Sequence, residues 1–265
     1  MRFPVSGLRT TLNIIPMMQQ EYNKYTEEDF KVWKLLYERQ IVNLPDAASQ
    51  AYLDGLQKIN FTADKIPNFE ETNRELQKIT GWSIHVVPGL IDDDKFFQLL
   101  SNRKFPSSTW LRKLSQLDYL EEPDMFHDVF GHVPLLANQP FVDYLQELSK
   151  IALRYIDNPW AIHLISRIYW FTVEFGLIEE NGNLRIYGAG ILSSAGETRY
   201  SLSEEATHYP YDVAHVMGMA YRKDVFQKQY FIINSYEQLF HSTDQIEEYL
   251  QTHADQPEAD FETSV

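Results

Sequence analysis

The chain has 265 residues, 44% of them hydrophobic, and its 16 Phe, 16 Tyr and 5 Trp supply enough apolar area for one large core, which excludes a disordered chain. Acidic side chains outnumber basic ones by 38 to 23, and the resulting net charge of -15 argues against nucleic acid and anionic membranes as partners. There is no cysteine, so any metal site must be built from His and carboxylate side chains rather than thiolates.

The first 20 residues are predicted to form an arm that precedes the folded domain. Their apolar runs are short and are interrupted by Pro4, Gly7 and Pro16, unlike the continuous apolar segment of a signal peptide. No stretch of the chain approaches the ~20 apolar residues of a membrane span. The sequence therefore predicts a soluble protein that stays in the cytoplasm.

The catalytic domain is predicted over residues 21–242, and its first half reads as helical. Phe30 and Trp33 recur at helical spacing after Thr26, a plausible N-cap, and Pro45 separates this helix from a second one. A third helix is predicted over residues 68–81, and the segment WSIHVVPGL after it has the composition of a short strand.

The second half predicts two further helices and several short elements. One helix is expected from Asp143 to Asp157, and another from Trp160 through WAIHLISRIYWFTVEFGLIEE, with Asn181-Gly182 as its C-terminal stop. LRIYGAGILSSAG predicts a strand and a Gly-rich turn, and FQKQYFIINSYEQL predicts a strand that enters a short helix. Residues 243–265 should be a short helix followed by an acidic disordered tail, HADQPEADFETSV.

The segment EPDMFHDVFGHVP places two histidines, His127 and His132, five positions apart. In a regular α-helix this spacing turns the side chains ~140° away from each other, so they would not share one metal ion. Gly131 and Pro134 favour a helix end that would let His132 turn back. Two histidines near a helix end are also often solvated or bonded within a core, so this spacing alone leaves both interpretations open.

Glu174 lies within the apolar run IYWFTVEFGL, where a carboxylate is costly to bury unless it is paired, protonated or bound to a cation. One alternative is a salt bridge to Arg167, nearly two turns earlier. Two histidines and one carboxylate from separate segments favour non-haem Fe(II), which keeps one face open, but zinc uses the same ligands.

Six blocks occur in one order between about Val87 and Phe231. They are VPGLIDDDKFF, NRKFPSSTWLR, QLDYLEEPDMFHDVFGHVPLL, RIYWFTVEFGLI, RIYGAGILSS and DVFQKQYF. In order and spacing they resemble the tetrahydropterin-dependent aromatic amino acid hydroxylases, and among these the short bacterial phenylalanine hydroxylases. The resemblance implies a mainly α, single catalytic domain, a basket of helices around a non-haem iron cavity with a few short β-strands.

The resemblance also implies roles for individual side chains. His127, His132 and Glu174 match the family's iron ligands. Arg112 matches the arginine that binds the substrate carboxylate, a role that suits a planar guanidinium fork, and Asp124 matches the acid that orients it. Without the resemblance, Arg112 would be interpreted as a surface charge.

Further matches concern the substrate and pterin cavities. The remaining positions implied in substrate binding are Pro123, Trp170, Phe175, Gly190 and Ser193. Ser193 matches the serine that hydrogen-bonds the first iron histidine and fixes its ring. The positions implied in pterin binding are Gly89, Leu90, Ile91, Phe96, Asp128 and Tyr169. Phe96 is the expected stacking partner, because a flat heterocycle gains most from an aromatic face.

The activity implied by the resemblance is an Fe(II)- and tetrahydrobiopterin-dependent monooxygenase that converts L-phenylalanine to L-tyrosine with O2, in phenylalanine catabolism. Family members that act on phenylalanine or tyrosine have tryptophan at the position of Trp170, as here. The chain shows neither the regulatory domain nor the tetramerising helix of the animal enzymes, so a monomer is expected. It departs from the family at Leu120, where the animal enzymes have a hydroxyl-bearing residue, and at Lys223, which could alter substrate choice.

Two other functions fit the same residues less well. A zinc hydrolase with these three ligands would act without oxygen or pterin. A non-catalytic protein that binds aromatic ligands would keep the pocket without turnover, but all three ligand residues are present here, which argues against such a loss.

Overall fold

The structure is a computed structural model that describes residues 18–118, 122–222 and 227–258, so Leu120 and Lys223 lie outside the described residues. The α-helices are α1 Glu27–Ile41, α2 Leu44–Ala47, α3 Gln50–Ile59, α4 Phe69–Ile79, α5 Asp93–Ser101, α6 Gln139–Arg154, α7 Pro159–Tyr169, α8 Ala189–Leu192, α9 Ala195–Tyr200, α10 Val213–Met217, α11 Tyr236–His241 and α12 Thr243–His253. The strands are β1 Ser83–Val86, β2 Lys104–Ser107, β3 Leu177–Glu180, β4 Asn183–Ile186, β5 Thr207–Pro210 and β6 Gln229–Ile233. The expectation of a mainly α catalytic domain with few short strands is confirmed.

Five shorter helical segments complete the described secondary structure. Two are π-helices, the first at Phe126–His132 and the second at Trp170–Glu174. Three are 3₁₀-helices, at Tyr22–Lys24, Leu114–Gln116 and Val133–Ala137. The π-helices carry the candidate metal ligands, and they set the geometry of the site described below.

Side-chain caps explain where several helices begin. Thr26 caps α1 as predicted: its hydroxyl accepts from the Asp29 backbone N–H, and the Asp29 carboxylate accepts from the Thr26 N–H at 2.7 Å. Asn138 and Asn158 cap α6 and α7 with a single bond each, in which the side-chain oxygen accepts a backbone N–H of the first turn. Each of these turns also contains a proline, where no backbone N–H is required. The cap at Asn138 starts α6 four residues before the predicted Asp143.

The core joins α1 and α3 to the first π-helix through aromatic side chains. Phe126 and Phe130 stack with ring centroids 4.7 Å apart, and Trp33 and Tyr37 of α1 each contact one of these rings at 5.4 Å. The Tyr52 hydroxyl of α3 donates to the Phe130 carbonyl at 2.6 Å. These contacts hold one side of the first π-helix in place. Its other side is left to the candidate metal ligands.

One prediction for the second half is wrong, because no single helix runs from Trp160 to Glu180. The chain leaves α7 through the second π-helix and then forms β3, which pairs with β4 in an antiparallel hairpin. Asn181 and Gly182 have φ angles of 53° and 74°, so they form the two-residue hairpin turn rather than a helix stop. β3 also pairs with β6, and β6 pairs with β5, both in parallel.

The C-terminal prediction is also wrong in part. The expected disordered tail begins at His253, but the structure describes the chain as far as Glu258, whose carboxylate binds the buried guanidinium of Arg167 at 2.8 and 3.1 Å. Arg167 therefore pairs with Glu258, and the alternative of a salt bridge between Arg167 and Glu174 is wrong. In the part of the chain that the structure describes, no helix has both the length and the apolar character to cross a membrane.

Candidate active site

The first π-helix explains how His127 and His132 can face the same point. A π-helix closes its hydrogen bonds between residues five apart, so side chains with that separation lie on nearly the same side. The sequence predicts a helix end near Gly131 and Pro134, and the π-helix does end at His132. The expected release of His132 is wrong, because His132 belongs to the π-helix. Gly131 instead allows a close approach of Ala189. A Cβ at Gly131 would lie 2.9 Å from the Ala189 carbonyl oxygen, closer than packed atoms allow.

Glu174 is the last residue of the second π-helix, at the point where the chain turns towards β3. Gly188 packs directly against it: a Cβ at Gly188 would lie 2.4 Å from the Glu174 carbonyl oxygen. The two glycines thus allow the segment around residues 188–193 to contact both π-helices. This close approach brings residues from three separate parts of the chain to one place.

The side chains of His127, His132 and Glu174 converge. The two Nε2 atoms lie 3.3 Å apart, and the carboxylate oxygens of Glu174 lie 3.2 Å from His132 Nε2 and 3.6 Å from His127 Nε2. Imidazole and carboxylate ligands bind a metal at about 2.0–2.2 Å, so two ligands of one ion are at most about 4.4 Å apart. The three side chains are therefore placed to hold one ion, and they are the one such cluster found among the described residues.

The charge state of these residues suits a cation. Burial lowers the pKa of His127 to about 4, although the nearby Glu174 carboxylate opposes that shift, so the imidazole is neutral at pH 7 and its lone pair is free. Burial alone would raise the pKa of Glu174, but the charge and hydrogen bond of His132, with the charge of His127 and the Gly190 backbone N–H, outweigh burial and lower it. A neutral imidazole, as at His127, and an ionised carboxylate, as at Glu174, are forms that bind metal.

The hydroxyl of Ser193 lies beside the His127 ring. Its Oγ is 3.0 Å from Nδ1 of His127 and 3.4 Å from the Gly190 carbonyl oxygen. If the serine hydroxyl donates to that carbonyl, its oxygen accepts the Nδ1–H of His127, which leaves Nε2 deprotonated and directed at the metal position. Gly190 also packs on Phe175, because a Cβ at this position would lie 2.8 Å from the ring.

Arg112 and Asp124 form a buried, two-bonded ion pair. Arg112 Nε and Nη2 donate to the Asp124 carboxylate at 2.9 and 2.8 Å, and the backbone N–H groups of Arg112 and His127 donate to the same carboxylate. Asp124 is fully buried, and the Arg112 side chain is 10% exposed. Two of the five guanidinium N–H donors serve Asp124, so three are not engaged by it. Pro123, one residue earlier, is exposed.

Trp170 and Phe175 pack together beside the metal cluster. Their ring centroids are 4.5 Å apart with an interplanar angle of 39°. Phe175 directly follows Glu174 in the sequence, and Trp170 begins the same π-helix four residues earlier. The sequence alone would assign them to the core of a helix, but the second π-helix and the turn after it leave Trp170 only partly buried. The pair supplies an apolar aromatic surface next to the ligands.

The residues expected to bind pterin fall into two groups. Phe96, in the first turns of α5, meets Tyr169 edge to face at 5.5 Å. Burial raises the pKa of the Tyr169 hydroxyl, and the negative charges of Glu174 and Asp128 raise it further. These four side chains therefore lie near one another. Gly89, Leu90 and Ile91 form the loop between β1 and α5 that leads to Phe96, and Leu90 is strongly exposed.

Three residues of the site were not predicted from the sequence. The Ser108 backbone N–H donates to the Asp128 carboxylate at 2.8 Å, and the Phe105 ring lies 4.8 Å from the His132 ring. Tyr221 stacks on Trp170 with centroids 4.5 Å apart. Ser108 and Phe105 stand within the block NRKFPSSTWLR, but neither has a polar pattern that marks it, and no pattern places Tyr221 beside Trp170.

Comparisons with known proteins agree with this geometry. The family model described as "Biopterin-dependent aromatic amino acid hydroxylase" matches residues 15–262. The chain is 47% identical over 227 residues to the phenylalanine-4-hydroxylase of Chromobacterium violaceum, covering 85% of this chain and 76% of that protein. It is 41% identical over 216 residues to the phenylalanine-4-hydroxylase of Pseudomonas aeruginosa, covering 82% of each.

Solved structures give the same assignment. The structure of the C. violaceum enzyme with bound iron(III) and the oxidised cofactor 7,8-dihydrobiopterin superposes with a TM-score of 0.85 at 46% identity, covering 91% of this chain and 88% of that one. The fold, the three candidate metal ligands and the sequence pattern thus agree. The chain belongs to the biopterin-dependent aromatic amino acid hydroxylases.

Proposed function

We propose that this protein hydroxylates L-phenylalanine to L-tyrosine with O2, using Fe(II) and a tetrahydropterin such as tetrahydrobiopterin, in phenylalanine catabolism. The curated relatives named above are phenylalanine-4-hydroxylases, and one of them has been crystallised with iron and a biopterin. The observation that carries the proposal is the position of Asp124. Its carboxylate binds the Arg112 guanidinium and the backbone N–H of His127 at the same time, so it links the carboxylate-binding residue to the metal cluster.

In this proposal His127, His132 and Glu174 hold the iron. Two imidazoles and one carboxylate on one side of the ion leave its opposite side open, an arrangement typical of non-haem Fe(II) oxygenases. When bound, the iron and the tetrahydropterin together supply the activation of O2 that no amino-acid side chain provides. Ser193 keeps the His127 ring in one tautomer and orientation, so the metal position is fixed before oxygen arrives.

Arg112 binds the substrate carboxylate with the guanidinium donors that Asp124 does not use. A planar fork fits a carboxylate with two parallel hydrogen bonds, and its rigid attachment to Asp124 fixes where the rest of the amino acid lies. Because the same Asp124 carboxylate also holds the His127 backbone, the substrate is anchored at a constant distance from the iron. Such positioning contributes to the rate because the ring is held near the reacting centre.

The aromatic ring of the substrate lies against Trp170 and Phe175. Offset or edge-to-face packing on these rings favours an aromatic side chain over an aliphatic one. The bulky Trp170 leaves room for a phenyl ring and crowds an indole, which supports phenylalanine over tryptophan. On the pterin side, Phe96 offers a ring face, Asp128 and the loop Gly89–Ile91 offer polar groups, and Tyr169 closes the cavity.

The direct test is to load the purified protein with Fe(II) under anaerobic conditions and then add O2, tetrahydrobiopterin and each aromatic amino acid in turn. We expect one tyrosine formed from each phenylalanine consumed, with uptake of O2 that requires the pterin. Conversion of no aromatic amino acid would refute the proposal. Hydrolytic activity without oxygen or pterin, in a protein that retains zinc, would favour the zinc hydrolase instead.

We further propose that the enzyme acts as a monomer in the cytoplasm. Among the described residues, the large exposed hydrophobic side chains belong to separate elements, for example Val42 after α1, Ile79 in α4 and Phe240 in α11. The net charge of -15 also opposes self-association. Sedimentation velocity of the iron-loaded protein should give one species of about 31 kDa, the mass of one chain.

A further inference from the structure

Trp170, the proposed wall of the substrate pocket, has no hydrogen bond that would fix its orientation. Its indole Nε1 atom is buried and lacks a hydrogen-bond partner among the described residues. An indole without such a bond is held by packing alone, so the rings that contact it decide where it stands. Within the described part of the chain these rings are Phe175 and Tyr221.

Phe175 and Tyr221 contact the indole from different sides. Each ring centroid lies 4.5 Å from that of Trp170, with interplanar angles of 39° for Phe175 and 20° for Tyr221. Two rings on the same face at these distances would touch each other, and no ring contact joins Phe175 to Tyr221 where the structure describes them. Trp170 is therefore enclosed between Phe175, on the side of Gly190, and Tyr221.

Tyr221 is itself anchored to the helix that carries Trp170. Its hydroxyl donates to Ser166 Oγ at 3.4 Å, and Ser166 Oγ donates to the His163 carbonyl at 2.8 Å. Its ring also meets Phe171 edge to face at 6.3 Å. Ser166 and Trp170 are four residues apart and lie on one side of α7 and its continuation, so Tyr221 rests along that side as a support for the indole.

We propose that Tyr221 is a specificity-determining residue: it holds Trp170 towards Phe175 and so limits the size of aromatic side chain that the pocket accepts. This inference rests on the proposed function and adds a residue to it. Without the tyrosine ring, the indole can move into the space that the ring had filled, and the pocket widens on the substrate side. The enzyme should then accept the larger indole of tryptophan more readily.

The experiment is a competition between L-phenylalanine and L-tryptophan in one mixture, with the iron-loaded enzyme, tetrahydrobiopterin and O2. The ratio of the two hydroxylated products gives the ratio of kcat/KM values. In Tyr221→Ala we expect this ratio to shift towards tryptophan by about tenfold or more, the scale at which pocket volume discriminates substrates. Tyr221→Phe keeps the ring and should keep the ratio of the unmodified enzyme.

Controls separate a specific effect from general damage. Tyr155→Ala removes another partly buried tyrosine, at the end of α6, and should leave the ratio unchanged. The KM for the pterin should also be unchanged in Tyr221→Ala. If that variant does not fold, Tyr221→Leu, which keeps apolar volume without a flat ring, is judged by the same ratio.

An unchanged product ratio in a folded Tyr221→Ala or Tyr221→Leu variant, or a shift in Tyr221→Phe as large as that in Tyr221→Ala, would overturn the inference. Failure of the proposed function looks different, because the unmodified enzyme would then form no tyrosine from phenylalanine under the same conditions. The two outcomes are distinguishable within one set of reactions.

Discussion

Replacing Arg112 by lysine tests the proposed carboxylate-binding residue. The guanidinium donates twice to Asp124, at 2.9 and 2.8 Å. In the proposed function, its remaining donors bind the substrate carboxylate. A lysine ammonium is a point charge that cannot serve both carboxylates in parallel. Asp124 still accepts from the backbone N–H groups of Arg112 and His127, so we expect the fold to survive the change.

The expected loss is one charge-assisted hydrogen bond to the substrate, about 1.5–3 kcal/mol. This corresponds to a dissociation constant raised about 10- to 150-fold for L-phenylalanine, with little change in the KM for the pterin. The assay is steady-state kinetics with each substrate varied in turn, together with calorimetric binding of L-phenylalanine. Equal increases for amino acid and pterin, or no increase for either, would contradict the assignment of Arg112.

A matched control is available at the surface of the same protein. Arg154 forms the same two-bonded geometry with Glu247, at 3.0 and 2.7 Å, but both side chains are substantially exposed. Exposed ion pairs contribute little to stability, about 0–1 kcal/mol. Arg154→Lys should therefore change neither KM, and the comparison isolates what the buried pair does for the substrate.

Four further predictions follow from the site and its surroundings. Alanine at any one of the three proposed iron ligands should abolish both iron retention, measured by metal analysis, and hydroxylation, and normal turnover by one of these variants would refute that ligand. Ser193→Ala should weaken metal binding about 10- to 100-fold in a titration of the metal-free protein, and unchanged affinity would count against its contact with His127. Trp170→Phe should gain activity on tryptophan relative to phenylalanine, and an unaltered preference would remove Trp170 from the pocket wall. Burial raises the pKa of Glu197 to about 7, despite hydrogen bonds from Gln227 and Tyr230. The protonated Glu197 carboxyl thus contributes to the free energy of unfolding at about pH 4.5, and this contribution, up to about 3 kcal/mol, is lost as the pH rises through 7. Glu197→Gln should therefore flatten the pH dependence of chemical unfolding over this range. An unchanged pH profile would argue against a buried, protonated carboxyl.

The helices that could be predicted are those whose local signals agree with their packing. Thr26 predicts the start of α1 because its cap needs only the next three residues. The predicted break at Pro45 is instead the first turn of α2, a four-residue helix between α1 and α3. The region after Trp160 could not be predicted in this way. Its residues are apolar on all sides in either state, so periodicity does not reveal the change from α-helix to π-helix or the strand that follows.

The candidate site could be assigned to residues but its geometry could not be derived. His127 and His132 were matched through the ordered blocks of sequence, whereas the structural reason for their convergence, a π-helix, leaves no pattern that hydrophobic spacing detects. Contacts such as Tyr221 on Trp170 join segments 51 positions apart in the chain and depend on how α7 packs. A single sequence contains no information on such long-range pairs unless a motif places both residues.

The two π-helices mean that this metal centre depends on chain length as well as on residue identity. An α-helix advances 100° per residue, so adding one residue between His127 and His132 would turn the two side chains ~120° apart in an ordinary helix, whereas removing one would leave them ~40° apart on one face. Substitutions elsewhere in these turns leave the register untouched. Single-residue insertions between these two histidines should therefore be far rarer than substitutions during divergence, and the positions of alignment gaps could help to locate similar sites.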